Sequence, residues 1–233
     1  MRNLLTLFDL TSKEIDTVFA ITKDLKTKYL NGLREPLLPG RVMALLFEKQ
    51  SLRTRVSFET AMVNLGGGSL FLGRDVGWGE RESIADFGQV LSQYCDVLVC
   101  RTNSHDKLIQ LAEHCSCSVI NGLTDLAHPC QALADLYTMK EIHGDLKGLK
   151  LAFVGDANNV ARSLAIACGK MDVHFSLASP EGYRLDDEFI SLLATQCPDA
   201  TIEQTGNAAS AVEEAAAVDR KSTRLNSSHT SIS

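Results

Sequence analysis

The stretch VMALLFEKQSLRTR, residues 42–55, decides the fold of this chain. Its first part, Val42 to Phe47, is an unbroken apolar run with the length typical of a strand buried on both faces of a parallel sheet. A helical pattern follows from about Thr54 to Leu65 and ends at three consecutive glycines. A buried strand that leads directly into a helix indicates an α/β protein.

Strand and helix patterns alternate along the rest of the chain. Strands are predicted at about residues 42–47, 69–72, 96–100, 118–121, 151–154, 174–178 and 201–204. Helices are predicted at about residues 11–32, 54–65, 83–93, 107–114, 130–143, 159–169, 186–196 and 208–218. Because such alternation is typical of right-handed βαβ units, we predict an α/β fold with two doubly wound parallel-sheet domains, the second incomplete.

The pattern restarts after the segment GDLKG, residues 144–148, which we interpret as a linker. We predict a first domain over residues 1–143 and a partial second domain over residues 149–219. The last segment, 220–233, is rich in serine and threonine and lacks apolar periodicity. We interpret it as a foreign read-through segment or a disordered tail, with an ordinary polar C-terminus as the alternative.

The composition is that of a globular protein, with 45% hydrophobic and 22% charged residues. A formal net charge of −6 gives no support to a nucleic-acid partner. No apolar run reaches the roughly 20 residues that span a bilayer, and the first residues lack the pattern of a signal or transit peptide. We therefore expect a cytoplasmic protein with neither a membrane nor a nucleic acid as its partner.

The seven cysteines lie mostly within apolar runs, where a thiol packs as a small hydrophobic group. Cys115 and Cys117 are separated by one residue and follow His114, so a metal site there is the less favoured alternative. We expect reduced, buried thiols and no metal.

A candidate anion site lies where the strand ending at Phe47 leads into the next helix, at Ser51-Leu52-Arg53-Thr54-Arg55. The first turn of a helix presents unpaired N–H groups and the positive end of its dipole. Hydroxyl and guanidinium groups at that place suit a phosphate-like dianion. Arg53 can face the ligand while Arg55 pairs with Glu59. The alternative is an ordinary N-cap serine on a basic surface helix.

Two further groups follow predicted strands. His128-Pro129-Cys130-Gln131 stands between a strand and a helix, and Arg101 follows the strand predicted at about residues 96–100. Because the carboxyl ends of parallel strands meet at one edge, these side chains are expected to share a crevice with the anion site. A structural histidine and a solvated arginine are the alternatives.

The second half opens with Gly155-Asp156-Ala157-Asn158-Asn159 directly after a predicted strand. A single glycine there does not make the GxGxxG dinucleotide pattern, which argues against a Rossmann dehydrogenase. The amides of Asn158 and Asn159 suit a zwitterionic amino acid, and a capped helix start is the equally weighted alternative.

Three motifs together identify a family resemblance. The runs FEKQSLRTRVSFE (residues 47–59), HPCQ (128–131) and GDANNV (155–160) closely resemble the aspartate/ornithine carbamoyltransferase family, in register over about residues 1–219. The family usually has threonine where this chain has Leu52, a position that contributes mainly backbone. Cys130 and the GDANNV run resemble the ornithine branch.

The resemblance implies roles for these residues. The phosphate of carbamoyl phosphate would be held by Ser51, Leu52, Arg53 and Thr54. Arg101 would contact the phosphate and the carbonyl oxygen, and His128 would polarise that oxygen. The carbamoyl amide would be fixed by Gln131 with the backbone of Pro129 and Cys130. By this resemblance the catalytic residues are Arg53, Arg101 and His128.

For the second substrate, the resemblance implies that Asn159 binds the α-amino-acid part of ornithine. Residues 77–83 occupy the position of a loop that family members lend to a neighbouring subunit, although Trp78 is unusual there. The resemblance also implies a homotrimer. Two later family motifs, a Ser-Met-Gly loop with an aspartate and a His-Cys-Leu-Pro sequence, do not occur in this sequence.

The implied activity is transfer of the carbamoyl group from carbamoyl phosphate to L-ornithine, giving L-citrulline and phosphate in arginine biosynthesis without a cofactor. The given chain is expected to be inactive. One alternative is a carbamoyltransferase for another amine, such as an acylated ornithine, putrescine or aspartate. The other is a non-catalytic subunit that binds a phosphate-bearing ligand.

Overall fold

The computed structural model describes residues 2–79 and 81–220, which form two parallel β-sheets flanked by helices. The strands are β1 (Val42–Phe47), β2 (Gly68–Leu72), β3 (Val97–Arg101), β4 (Ser118–Leu123), β5 (Lys150–Val154), β6 (His174–Ala178), β7 (Ile202–Thr205) and β8 (Ala217–Arg220). The helices are α1 (Ser12–Leu30), α2 (Leu52–Asn64), α3 (Ile84–Leu91), α4 (His105–His114), α5 (Pro129–His143), α6 (Asn159–Lys170), α7 (Asp187–Gln196) and α8 (Ala208–Val212).

The first sheet has the strand order β2-β1-β3-β4, with all neighbours parallel. From β1 the chain moves outward to β2 and then returns to the other side of β1 to form β3. The strand order therefore reverses between β1 and β3, whose last residues, Phe47 and Arg101, are paired. In open parallel sheets the ligand crevice lies outside the carboxyl ends of the strands at such a reversal.

The second sheet has the order β7-β6-β5-β8 and repeats this arrangement, with its own reversal between β5 and β8. The loop after β5 leads into α6 and thus lies at the carboxyl edge of this second reversal.

A shared core joins helices α1 and α5 of the first domain to α6 and the second sheet. Ile15 and Phe19 of α1, Leu136 of α5 and Leu164 of α6 belong to one buried apolar cluster, with exposed fractions of 0–2%. Full burial of such a side chain is worth about 1.5–3 kcal/mol. The capping box between Thr11 and Glu14 fixes the start of α1 on this core. Packing of α5 against α6 places the first turns of the two helices side by side. This arrangement brings the edges of the two domains together.

The α/β fold class with two doubly wound parallel sheets is confirmed, and each predicted strand and the first seven helices fall within a few residues of their predicted places. The helix predicted over residues 208–218 is wrong at its end. Helix α8 stops at Val212, Glu214 turns with a φ of 56°, and Ala216 donates its N–H to the Lys150 oxygen at 2.8 Å. The alanine run favours a helix, but pairing with β5 makes it the strand β8.

The second sheet consequently has a fourth strand where three were expected. The predicted domain limits coincide with a gap in the secondary structure, since α5 ends at His143 and β5 begins at Lys150. Of the segment predicted as a tail, Arg220 is the last residue of β8, and residues 221–233 lie outside the described residues. Within the described residues, no helix combines the length and apolar character needed to cross a bilayer.

Candidate active site

Helix α2 begins without a side-chain cap. Ser51 is its N-cap residue, but the Ser51 hydroxyl hydrogen-bonds to Thr54 Oγ1 at 2.9 Å and not to the helix backbone. Arg55 is the first residue whose N–H reaches the backbone of the cap, at 3.1 Å from the Ser51 oxygen. The earlier N–H groups of the turn are thus available to an anion at the positive end of the helix dipole. Leu52 is 79% exposed, in keeping with a backbone contribution at its position.

The two arginines of this turn have different surroundings. Arg55 Nε pairs with Glu59 Oε1 at 3.1 Å, which confirms the predicted pair, and its guanidinium lies 3.8 Å from the centroid of the Phe71 ring. Arg53 is exposed and makes no hydrogen bond or ion pair with the part of the chain that the structure describes. Of the two, only Arg53 therefore has a guanidinium free to meet a ligand.

Arg101 is the last residue of β3 and reaches across to the start of α2. Its Nη1 donates to Thr54 Oγ1 at 3.4 Å, and its buried Nε has no hydrogen-bond partner among the described residues. Burial lowers the pKa of Arg101. A guanidinium remains charged at neutral pH even so, because its ordinary pKa lies above about 12. The site therefore holds a partly desolvated positive charge with an unused donor.

His128 is the N-cap residue of α5. Its backbone N–H donates to Ser163 Oγ of α6 at 2.8 Å, so that the second domain helps to hold its backbone. Its Nδ1 is buried and unpaired within residues 2–79 and 81–220. Burial, and then the charge of Arg101, lower the pKa of His128 to about 4. The imidazole is therefore neutral near pH 7 and can donate one hydrogen bond without carrying a charge.

The residues after His128 form the first turn of α5. Pro129 is at its first position, which suits the fixed φ of proline. Cys130 Sγ donates to the Asn121 oxygen at 3.7 Å, and burial raises the pKa of its thiol to about 11. A thiol with that pKa is protonated at neutral pH and is a poor nucleophile. Gln131 is exposed and donates from Nε2 to Asp135 Oδ1 at 2.9 Å.

Asn158 and Asn159 have separate roles at the start of α6. Asn158 is the N-cap, and its Oδ1 accepts from the N–H groups of Val160 and Ala161 at 2.9 and 3.1 Å. The capped helix start that was the alternative for this pair thus applies to Asn158. Asn159 Nδ2 donates to the backbone oxygen of Thr124 at 2.5 Å, a contact between the two domains. Asn159 lies at the boundary between the domains, and its binding of an amino acid stays a prediction.

Trp78 lies inside the first domain. It is 4% exposed, its ring packs on Phe87 with centroids 6.1 Å apart, and Lys107 Nζ lies 5.5 Å from the ring centroid. Its indole N–H is buried without a partner among the described residues. The structure thus places this side chain in the core of its own domain, and the contact of its loop with a neighbouring subunit stays a prediction.

The sequence analysis missed two residues that support the site. Asp135 accepts from Gln131 one turn earlier on α5, and burial raises the pKa of its carboxyl to about 6. The i,i+4 spacing of glutamine and aspartate is a signal that could have found it. Ser163 supports His128 from the other domain. No local pattern signals Ser163, because the contact joins residues 35 positions apart.

The predicted residues form a connected arrangement. Ser51 contacts Thr54, Thr54 contacts Arg101, and the charge of Arg101 acts on His128. Gln131 follows His128 on the first turn of α5. The unused N–H donors and the positive charge of these residues can stabilise a ligand in which negative charge develops on the oxygen atoms of two neighbouring groups.

The fold and this arrangement define the class as two-domain α/β proteins with a crevice at the carboxyl ends of parallel strands and at the domain boundary. Family models agree with that class. "Aspartate/ornithine carbamoyltransferase, carbamoyl-P binding domain" matches residues 2–141, and "Aspartate/ornithine carbamoyltransferase, Asp/Orn binding domain" matches residues 147–224. The chain belongs to the aspartate/ornithine carbamoyltransferase family.

Individual relatives carry the ornithine name. An ornithine carbamoyltransferase of Bacillus subtilis (strain 168) is 50% identical over 188 residues, which are 80% of this chain and 58% of the relative. One of Bacillus cereus (strain ZK / E33L) is 46% identical over 217 residues, 92% of this chain and 67% of the relative. The solved structure of ornithine carbamoyltransferase from Pyrococcus furiosus has a TM-score of 0.92 at 40% identity, covering 96% of this chain and 72% of that one. This chain thus spans 58% of the length of the Bacillus subtilis relative.

Proposed function

We propose that this chain is the larger part of an enzyme that transfers the carbamoyl group from carbamoyl phosphate to L-ornithine, giving L-citrulline and phosphate. The observation that carries the proposal is the uncapped start of α2 beside the unused donors of Arg101 and His128. The names of the similar proteins support the choice of ornithine.

In this proposal the phosphate lies at the start of α2. The free N–H groups of that turn, the hydroxyls of Ser51 and Thr54 and the guanidinium of Arg53 would bind its oxygens. Arg101 would bridge the phosphate and the carbonyl oxygen, because its Nη1 already contacts Thr54. A dianion at a helix start gains from both the dipole and charge-assisted hydrogen bonds.

The carbamoyl group would lie towards α5. His128, neutral because its pKa is about 4, would donate a hydrogen bond to the carbonyl oxygen. Gln131, with the backbone of Pro129 and Cys130, would fix the carbamoyl amide. The neutral amine attacks the carbamoyl carbon, negative charge grows on the carbonyl oxygen, and phosphate leaves with the bonding pair. Fixed donors aimed at those oxygens lower the barrier electrostatically, and no covalent intermediate with the protein is needed.

The amino-acid part of ornithine would lie at the start of α6. Asn159 is held at the boundary between the domains by its bond to Thr124. A carbamoyltransferase for an acylated ornithine, putrescine or aspartate is the second candidate, since the family models cover both the aspartate and the ornithine branch. Arginine biosynthesis, a cytoplasmic location and a homotrimer are parts of the same proposal.

The 233-residue chain by itself is proposed to be inactive. It spans 58% of the length of the Bacillus subtilis relative, so the rest of that relative has no matched counterpart in it. The carbamoyl-phosphate residues, 51–54, 101 and 128–131, are all present.

A chimera tests the activity and its specificity. Residues 1–218 are joined to the corresponding C-terminal part of the Bacillus subtilis relative, and carbamoyl transfer is measured with ornithine, an N-acylated ornithine, putrescine and aspartate. Citrulline formation with ornithine at a rate well above the other amines supports the proposal. The same chimera with Arg101→Ala controls for activity from contaminating enzyme. Transfer to another amine in preference to ornithine, or equal turnover by the Arg101→Ala chimera, contradicts it.

A further inference from the structure

Three cysteines come together at the edge of the first sheet opposite the candidate active site. Cys95 lies two residues before the amino end of β3, and Cys117 directly precedes β4, which is hydrogen-bonded to β3. Their Sγ atoms are 3.9 Å apart. Cys115, two residues before Cys117, packs against the apolar cluster that contains both of these cysteines. Strands of this length separate the thiols from the carboxyl edge by roughly 17–20 Å, so the proposed reaction does not use them.

The cluster lies on the wall of an open cavity. Cys95 and Cys117 are 7% and 3% exposed, and both line a cavity of about 800 Å³ that also reaches Arg41 and Asp96. A small solute such as a peroxide can enter a space of that size, whereas a protein cannot. Within the described residues, no group of three or more His, Cys, Asp or Glu side chains is arranged to hold a metal ion.

The hydrogen bonds in the cluster distinguish the three thiols. The neighbouring thiols of Cys115 and Cys95 lower the pKa of Cys117, because each can stabilise its thiolate by donating a hydrogen bond. The same bonds raise the pKa of Cys95 and Cys115, because each keeps the proton that it donates. The thiolate is the reactive form of cysteine. Cys117 is thus the expected nucleophile, with Cys95 as a protonated neighbour.

We propose that Cys117 and Cys95 form a reversible redox pair that a peroxide oxidises to a disulfide. The Cys117 thiolate attacks one oxygen of hydrogen peroxide, the O–O bond breaks, and hydroxide leaves, giving a sulfenic acid. The Cys95 sulfur then attacks the Cys117 sulfur, the S–O bond breaks, and water leaves with the Cys95 proton. Both sulfurs are oxidised by one electron each, and the peroxide is reduced by two.

The geometry needs only a small change for this bond. The sulfurs must approach from 3.9 Å to the disulfide length of about 2.05 Å. The cross-link would tie the amino end of β3 to that of β4 around α4. A closed loop of this size predicts a Tm rise of roughly 7–14 °C for the oxidised chain, with carbamoyl-phosphate binding unchanged.

Peptide mapping after peroxide treatment tests the pair. The reduced 233-residue chain is treated with hydrogen peroxide, remaining thiols are alkylated in denaturant, and disulfide-linked peptides are identified by mass spectrometry. We expect a Cys95–Cys117 link in the wild type that dithiothreitol removes. Cys197→Ser is the matched control, because Cys197 is 5% exposed and lies in the second domain, and it should form the same link.

Two variants test the separate roles. Cys95→Ser should stop at a sulfenic acid on Cys117 that a dimedone-type reagent traps. Cys115→Ser should still form the link, but several-fold more slowly, because one donor to the thiolate is gone. A wild-type chain that stays folded by circular dichroism and forms no link, or links Cys117 to Cys115, overturns the proposal. The wild-type result decides this even if a serine variant fails to fold.

Discussion

At the scale of single residues, Arg101 combines partial burial with a guanidinium whose donors are not all used among the described residues. It is partly buried at the end of β3, its described contact is a long hydrogen bond to a hydroxyl, and its Nε has no partner within the described residues. Leaving a buried donor unpaired costs about 1–3 kcal/mol. A ligand oxygen that accepts from Arg101 removes this cost, so binding and stability are linked at this position.

The first prediction concerns this residue and Arg53 in a full-length enzyme, with the chimera as the available form. Arg53→Ala or Arg101→Ala should each cost about 2–4 kcal/mol of transition-state stabilisation, because each removes a positive donor to the developing charge. Steady-state kinetics with carbamoyl phosphate measures this as a fall in kcat/KM of roughly 10²–10³. Near wild-type kcat/KM in either variant would refute the phosphate assignment for that arginine.

His128 and Asp135 should contribute opposite pH dependences to stability. The pKa of His128 is depressed to about 4 in the folded chain, so the unfolded chain binds more protons between about pH 4 and 6.5. Stability from His128 therefore falls as the pH falls through that window, by about 3 kcal/mol at most. The pKa of Asp135 is raised to about 6, so the folded chain binds more protons from about pH 4 to 6. Stability from Asp135 falls as the pH rises through that range.

Two conservative variants separate these contributions. Relative to wild type, His128→Asn should gain stability as the pH falls from 6.5 to about 4. Asp135→Asn should gain relative stability as the pH rises from about 4 to 6. Urea unfolding at a series of pH values measures both, and Gln93→Glu, at an exposed position, serves as a surface-charge control. Parallel pH curves for either variant and the wild type would show that its group is not held in the buried state described here.

The residues of the site were predictable where a short motif carries them. The SLRTR and HPCQ runs each stand between a strand and a helix, so the sequence alone indicated where their side chains would meet. The contact of Asn159 with Thr124 and that of His128 with Ser163 each join residues 35 positions apart. Such contacts depend on how the two domains pack together. That packing cannot be predicted from the periodicity or the local spacing of residues in the sequence.

At the scale of elements, α2 and α6, two of the three helices that begin at the crevice, differ in how they begin. Helix α6 has an asparagine cap that accepts from two of its own N–H groups. Helix α2 has a serine at the same position that makes no such bond. A helix that leaves its first N–H groups free is less stable by itself and better suited to an anion. The difference supports α2 as the phosphate-binding element.

A cap substitution tests this difference. Asn158→Ala should lower the free energy of unfolding by about 1 kcal/mol, because it removes the acceptor for two N–H groups of α6. Ser51→Ala should cost less, since the Ser51 hydroxyl does not cap α2. Equilibrium urea unfolding of the two variants beside the wild type measures the difference. If Ser51→Ala were as costly as Asn158→Ala, the serine would be an ordinary helix cap.

The elements also show where sequence reasoning fails. Strands such as β1 and β5 were predictable because a continuous apolar run has one consistent interpretation in an alternating chain. The run around Ala215–Ala217 was read as helix because alanine has the highest helix propensity. Its N–H groups instead meet Lys150 and its neighbours on β5. Pairing with β5 therefore determines the structure of this segment. The local helix propensity of alanine does not predict that pairing.

At the scale of the whole molecule, the shared core couples the domains. Helices α1 and α5 of the first domain pack with α6 and the second sheet in one apolar cluster. The start of α5, with His128 and Gln131, is thereby fixed against the start of α6. A full-length enzyme of this kind is proposed to be a trimer. Sedimentation of the chimera should give a trimer at working concentration, and a monomer would contradict that part of the proposal.

The 233-residue chain should form no citrulline above background. It contains the residues proposed to bind carbamoyl phosphate, whereas Asn159 is the single residue proposed to bind ornithine. A citrulline assay on the purified chain, with the chimera as the positive control, measures this. Turnover near that of the chimera would show that residues within this chain suffice for the second substrate.

The most direct test of the central claim is calorimetric titration of carbamoyl phosphate into this chain. The account predicts saturable binding that Arg101→Ala weakens by roughly 10–100-fold, the loss expected for a hydrogen bond to a charged group. Arg41→Ala, which removes an exposed arginine at the opposite edge of the sheet, should change the affinity less than about twofold. Equal binding by wild type and Arg101→Ala, or the larger loss in Arg41→Ala, would contradict the account.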